Sequence, residues 1–357
     1  MKTYIKFLIN LFNISFLKIF IIFFTIIFVT NILEQIEFFK DKDLNFSYII
    51  LLSFLNTPSI LFDIFPFIFL LSTQVFFIQL INKNELEIFK YRGLNNIKIV
   101  KILAAYTFIL GILLVIFFYN FSSVLKNSYL LIKNNYSGDN KYLAVITKHG
   151  LWIKDEINED INIINANKVD DKFLLNVSIT KFNKNFDIKE TIESKKIDIT
   201  LKKWKIFNPT ILKNNSQTIS NEMIMESNFD LQKINSLFSN LSSLTMIDLI
   251  TLRESYISLN YSVTDINSHL LKIISYPIYL TLITVFSAII MFNISYQKNT
   301  FFKITLGILS SVIIYYINNF FHVLGTNEKI PLILSIFLPL VILSIINFTS
   351  IIRLNEK

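Results

Sequence analysis

The chain of 357 residues is 53% hydrophobic, with 36 Phe, a net charge of +8 and a mean hydropathy of +0.53. A soluble fold of this length has no use for so much apolar side chain, so composition places the chain in the membrane class, where surplus Lys and Arg mark one side of a bilayer rather than a nucleic-acid site. The absence of Cys excludes disulfides and thiolate metal sites.

The first apolar run, about 12–35, is too long for a cleaved leader and carries Lys18 inside it, so it is predicted to be a retained span whose lysine snorkels to the interface. The next run, 44–82, is interrupted by Asn56, Thr57, Pro58, Asp63 and Pro66. Two spans do not fit there. One span over 58–81, preceded by a short helix on the membrane surface, does. Beyond it, the charge-free gaps Lys101–Lys126, Lys272–Lys298, Lys303–Glu328 and Lys329–Arg353 each hold 23–25 residues. Each gap makes roughly 35 Å of helix, enough for a hydrocarbon core of about 30 Å. Six spans result.

Lys2, Lys6, Lys83, Lys90, Arg92, Lys98, Lys101, Lys298, Lys303, Arg353 and Lys357 fall on one side, against Lys40, Lys42 and Lys329 in the short loops of the other. That asymmetry predicts both termini in the cytoplasm. The expected architecture is an α-helical membrane protein of six transmembrane helices, three plus three, with an inserted all-β domain, a β-sandwich or jelly roll, on the outer side. Residues 1–123 hold the first three spans and a cytoplasmic helix over 83–98, residues 124–267 form the insert, and residues 268–357 hold the last three spans.

The insert has a different grammar from the spans. YLAVIT (142–147), LWIKDE (151–156), INIINANKV (161–169), FLLNVSIT (173–180) and KIDITLKKWKIF (196–207) alternate with period two and are separated by turn formers such as Gly138, Gly150 and Asn208–Pro209. Helical character returns over 244–262. No Gly is followed by Lys in a phosphate-binding loop, no Ser sits in a nucleophile elbow, and His149, His269 and His322 are too scattered for a metal motif. The chain itself is therefore expected to bind no cofactor.

Several residues stand out against this background. Asp63 lies in the second apolar run, either as a functional intramembrane carboxylate or as an acid in the first turn of a span. Tyr315, Tyr316, Asn318, Asn319 and His322 make the outer half of span five polar, as a cavity lining or as interhelical glue. Lys40 and Lys126, at outer ends of spans, suit lipid phosphates or plain interfacial anchoring. The stretch NELEIFKYRGLNN (84–96) places Glu85 and Glu87 in a first helical turn, Leu86, Ile88 and Phe89 as an apolar face, Lys90 and Arg92 in the last turn, and Gly93 as a stop. A basic loop would need no acids or apolar residues; a helix docking into a soluble partner's groove needs both.

On these residues the sequence resembles the LptF/LptG lipopolysaccharide-export permeases. Their pattern after span two, roughly E-L-x-x-L-R-x-x-G-x-S, is met by Glu85-Leu86, Phe89-Lys90 and Gly93-Leu94-Asn95, with Lys90 in place of Arg and Asn95 in place of Ser. PSILFDIFPFIFLLST (58–73), HGLWIKD (149–155) and LPLVILSI (338–345) also match, and GLWIKD with the hairpin VLGTNEKIPLILSIFLP looks more like the LptG branch. The resemblance implies a lipopolysaccharide permease in the bacterial inner membrane, its insert a periplasmic jelly roll, paired with an LptF-like permease. It implies an LptB-like cytoplasmic ATPase that supplies ATP hydrolysis and grips the helix at Glu85. LptC/LptA-like periplasmic β proteins would continue the route. It also implies that Lys40 and Lys126 are the nearest candidates for lipid phosphates. Two other readings stand beside it: a lipoprotein-release type of ATPase-coupled permease, which usually has four spans, and a sensor or scaffold with an extracytoplasmic β domain.

Overall fold

The computed structural model describes residues 3–40, 45–137, 151–157, 160–170, 172–183, 187–213, 216–231, 234, 240–258, 262–293 and 300–355. The expected strand 142–147, Gly138, His149 and Gly150 lie outside them, as do Lys2, Lys42, Lys298 and Lys357. The chain divides into two compact units, Met1–Lys126 with Thr264–Lys357, and Asn127–Val263. These limits fall a few residues from the expected 123/124 and 267/268.

The helices are α1 (Thr3–Phe38), α2 (Phe46–Asn82), α3 (Glu85–Tyr91), α4 (Asn96–Leu113), α5 (Asn120–Ser137), α6 (Met246–Ser258), α7 (Thr264–Asn293), α8 (Thr300–Thr326) and α9 (Leu332–Asn355), with a π-helical turn, Leu114–Tyr119, joining α4 to α5. Among the described residues, six helical stretches are long and apolar enough to cross a membrane: Thr3–Phe38, Phe46–Asn82, Asn96–Lys133, Thr264–Phe292, Phe301–Thr326 and Leu332–Arg353. The all-β insert separates the first three from the last three, as the charge-free gaps predict. More than half of the residues in the α2 and α7 spans are buried, against about a tenth in the α1 and α8 spans. The first pair forms the centre of the bundle, and the others are left for lipid or protein to cover.

The second span differs from expectation. The surface helix and the span over 58–81 are one helix, the 37-residue α2, with Pro58 and Pro66 inside it. Proline deletes an N–H and frees the carbonyl four residues earlier, which in hydrocarbon must find another donor. At Pro66 that carbonyl belongs to Phe62, and the Tyr276 hydroxyl of α7 donates to it. The Tyr276 ring stacks on Phe62 with centroids 4.5 Å apart. Before Pro58, the polar pair Asn56 and Thr57 is buried rather than turned out. Asn56 Nδ2 donates to Asn31 Oδ1 on α1 at 2.7 Å, and Asn31 Nδ2 reaches Ile27 O at 3.0 Å. Thr57 bonds back to Ser53 O at 2.7 Å. Asn56, Thr57 and the carbonyl freed by Pro66 thus each have a partner on a neighbouring helix or on the preceding turn.

Close helix contacts sit at glycines. A Cβ on Gly111 would lie 2.8 Å from the Pro277 Cα of α7, a backbone atom that cannot swing aside. At Gly307 the same atom would fall on Gln74, whose Nε2 donates to Lys303 O at 2.9 Å.

The insert is one antiparallel sheet of β1 (Leu151–Ile157), β2 (Asp160–Asp170), β3 (Phe173–Phe182), β4 (Ile188–Asp198), β5 (Lys203–Phe207), β6 (Thr210–Lys213), β7 (Ser216–Ile219) and β8 (Glu222–Glu226). The order is β1-β2-β3-β4-β5-β8, consecutive as far as β5, with β6 pairing β4 and β7 off this path. β5 and β6 follow each other along the same neighbour, β4, and are separated at Asn208–Pro209. The expected strand 196–207 is instead the end of β4, a turn and β5; the turn forms because Asp198 Oδ1 accepts from Thr200 N at 2.9 Å. The sheet wraps a single core in which Leu151 and Ile153 of β1 meet Trp204 and Ile206 of β5 and Phe229 beyond β8. Asp155 fastens this closure. Its buried carboxylate accepts from Ser227 Oγ at 2.8 Å, Asn228 N at 3.1 Å and Asn228 Nδ2 at 2.8 Å.

Two substitutions test these packing arguments. Tyr276→Phe leaves the Phe62 carbonyl bare and should lower unfolding stability by about 1–3 kcal/mol. Gly111→Ala should cost about 1–3 kcal/mol by forcing α4 from α7. Thermal unfolding in one detergent, compared with the unmodified chain, reads both; melting unchanged in both would contradict the assigned contacts.

Candidate functional site

Polar side chains spaced along three helices converge within the membrane unit. On α8, Tyr315, Asn318, Asn319 and His322 recur at i, i+3, i+4 and i+7 and share one face. On α7, Lys272, Ser275, Tyr276 and Tyr279 do the same. Together with Asp63 and Pro66 of α2 and Ser335 of α9, they line a cavity of about 250 Å³. The cavity thus gathers Asp63, Tyr315, Asn318, Asn319 and His322, five residues singled out by sequence, and excludes Tyr316, which is 66% exposed on another face.

Asp63 sits well inside α2, which begins at Phe46, so it is not an acid of a first helical turn. Its carboxylate lies 3.7 Å from Lys272 Nζ. Both side chains remain more than half exposed to the opening, 60% and 55%. In water such a pair is worth about 0–1 kcal/mol, so it holds position and charge more than it holds the fold. Lys126 interacts electrostatically with Asp63 but does not line the cavity. His322 Nε2 shares a hydrogen bond of 3.0 Å with Ser268 Oγ, and His269 Nε2 shares one of 3.0 Å with Tyr119 in the π-helical turn. Lys40 lies in the turn after α1, exposed and away from this lining. Lys272, Tyr276, Tyr279 and Ser335 escaped sequence reasoning, although the polar spacing along α7 was there to be read.

The second candidate is the charged stretch after α2. Its helix, α3, spans Glu85–Tyr91, shorter than the expected 83–98. Gly93 ends it at φ +79. Gly93 N bonds to Lys90 O and Leu94 N to Phe89 O, both at 2.9 Å, the paired bonds of a Schellman stop. Asn95 then caps α4, its Oδ1 accepting from Lys98 N at 3.1 Å, a task Ser performs equally well. Leu86 is buried, and the Phe89 ring lies 5.9 Å from Phe7 of α1, so these two apolar residues tie α3 to the bundle. What projects is Glu87 with Ile88, 51% exposed, and Tyr91, 90% exposed. The outward apolar face is therefore Ile88 and Tyr91, a pair at i and i+3 of which sequence analysis named only the first. Glu85 is half-buried, with Lys90 and Gly93 at the surface.

Residues 6–353 match the family model of the lipopolysaccharide export system permease LptF/LptG. The chain belongs to this family. The match treats the two branches jointly and does not separate LptF from LptG. A comparison with curated proteins found no match. A multi-pass inner-membrane permease of the lipopolysaccharide export system is thus the setting for both sites, the cavity and α3.

If the cavity takes part in export, Asp63→Ala should leave unfolding stability within about 1 kcal/mol of the unmodified chain, given the exposed pair. It should nonetheless lower export in cells that depend on the variant. Surface lipopolysaccharide at the unmodified level in such cells would remove the cavity from the transport route.

Proposed function

We propose that this chain is one transmembrane subunit of an ATP-driven exporter that lifts lipopolysaccharide out of the inner membrane and hands it to a β-structured route on the other side. Both termini and α3 lie in the cytoplasm and the β insert in the periplasm, the orientation favoured by the Lys and Arg of the connecting segments. A soluble ATPase of the LptB kind docks against α3 and supplies the energy, a second permease of the same family covers apolar surface left open on α1 and α8, and LptC/LptA-like β domains continue the path. The chain carries no phosphate-binding loop of its own and is read as a permease, not an enzyme.

The observation that carries this reading is the geometry of α3. Leu86 and Phe89 fix it to the bundle, Ile88 and Tyr91 project, and it follows α2 after two residues, Lys83 and Asn84. A force on α3 therefore reaches Asp63 along α2. The load is large, since withdrawing acyl chains from a bilayer costs about 0.8 kcal/mol per CH₂.

Copurification with the soluble ATPase tests the docking face. Ile88→Ala combined with Tyr91→Ala should cut recovery of the ATPase at least tenfold while the permease still accumulates in the membrane; recovery equal to that of the unmodified chain would contradict the assignment. Depletion of the chain tests the transport. Lipopolysaccharide should accumulate in the inner membrane, and normal surface lipopolysaccharide after depletion would refute the reading.

A further inference from the structure

The inward-facing residues of the insert change phase at one level across three successive strand positions. They run Leu174 then Val177 on β3, Ser194 then Ile197 on β4, and Ile206 on β5 then Ile211 on β6. Each step is an odd number of residues where regular alternation requires an even one. The breaks fall at Asn176, Lys195 and Asn208–Pro209, and they are neighbours because Leu175 pairs Lys196 and Lys196 pairs Phe207. Asn176 and Asn208 take φ +49 and +45, a conformation that asparagine tolerates better than most residues. On the outer face, this line of breaks opens a crease with a cavity of about 850 Å³, whose lining also reaches the buried Val177 and Ser194.

The crease is chemically unlike the rest of that face. Elsewhere the outer surface carries ordinary ion pairs, Lys205 with Glu222 at 2.9 Å and Lys203 with Glu226 at 3.9 Å. The crease is lined by Asn165, Asn167, Asn176, Ser178 and Asn208. Glu193, Lys195 and Lys196 also line it, with Lys196 turning its ammonium over the Phe173 ring at 3.7 Å, and Val177 and Phe207 add apolar surface. Asn165 Nδ2 is buried and finds no hydrogen-bond partner among the described residues. Each side-chain amide offers donors and an acceptor together, which suits the vicinal hydroxyls of a sugar.

We propose that this crease binds the oligosaccharide portion of lipopolysaccharide, an inference that rests on the export reading above. Acyl chains and sugars then have different surfaces on the insert, the sugar taking the amide-lined crease.

The probe is acyl-free core oligosaccharide released from lipopolysaccharide by mild acid, titrated onto the full chain in nanodiscs. The variant N176G/N208G removes two amides, while glycine accepts both positive φ values, so the sheet should melt as before. The unmodified chain should bind the oligosaccharide saturably, and the variant at least fivefold more weakly. No saturable binding, or a smaller change in the variant, would overturn the proposal. So would equally tight binding of maltohexaose, which would sever the crease from this particular glycan. The titration reads sugar contact alone and depletion of the chain reads transport, so failure of one is distinguishable from failure of the other.

Discussion

Pro66 takes one N–H out of the most buried helix of the bundle, and a hydroxyl from another helix puts a donor back. Tyr276 of α7 donates to the carbonyl of Phe62 that Pro66 leaves open, and its ring stacks on the Phe62 ring. Because an unsatisfied carbonyl in hydrocarbon costs several kcal/mol, α2 and α7 are bound to stay together at this level. The cavity lies beside that bond. Asp63 is one turn before Pro66, and Lys272 one turn before Tyr276, so the same junction that repairs the helix brings the ion pair together.

Continuity of α2 also connects the two candidate sites. The helix runs from Phe46 to Asn82, and α3 begins at Glu85. α2 is held by Asn31 near Pro58 and by Tyr276 near Pro66, and it is one continuous helix between the cavity and its α3 end, the path that the proposed function requires. The exposed faces of α1 and α8 leave room for motion against lipid or a second subunit.

The spans were legible in the sequence because charges bracket them and a bilayer fixes their length. α2 was not, because Asn56, Thr57 and Pro58 look like a break until Asn31, 25 positions earlier than Asn56, is seen to satisfy the first of them. Half of the cavity showed as a polar face on α8, whereas its α7 half lay within an apolar run in which Lys272 read as a boundary. The amphipathic character of α3 was plain, but not which apolar residues it spends on its own bundle: Leu86 and Phe89 turn in, Ile88 and Tyr91 out. In the insert, β4 was hidden because much of it is the polar stretch IKETIESK, and the phase change at Lys195 interrupts its alternation.

The most direct test of the account is whether work at α3 opens or closes the cavity between α2 and α8. The chain has no Cys, so Ile64→Cys on α2 and Tyr316→Cys on α8 carry the two spin labels uniquely, beside the cavity lining and not in it. With the partner permease and the ATPase bound, the distance between the labels should differ between the nucleotide-free state and the state trapped with ATP and vanadate. That difference should vanish when Ile88 and Tyr91 are both replaced by Ala. A distance unchanged by nucleotide in the intact complex would contradict the account.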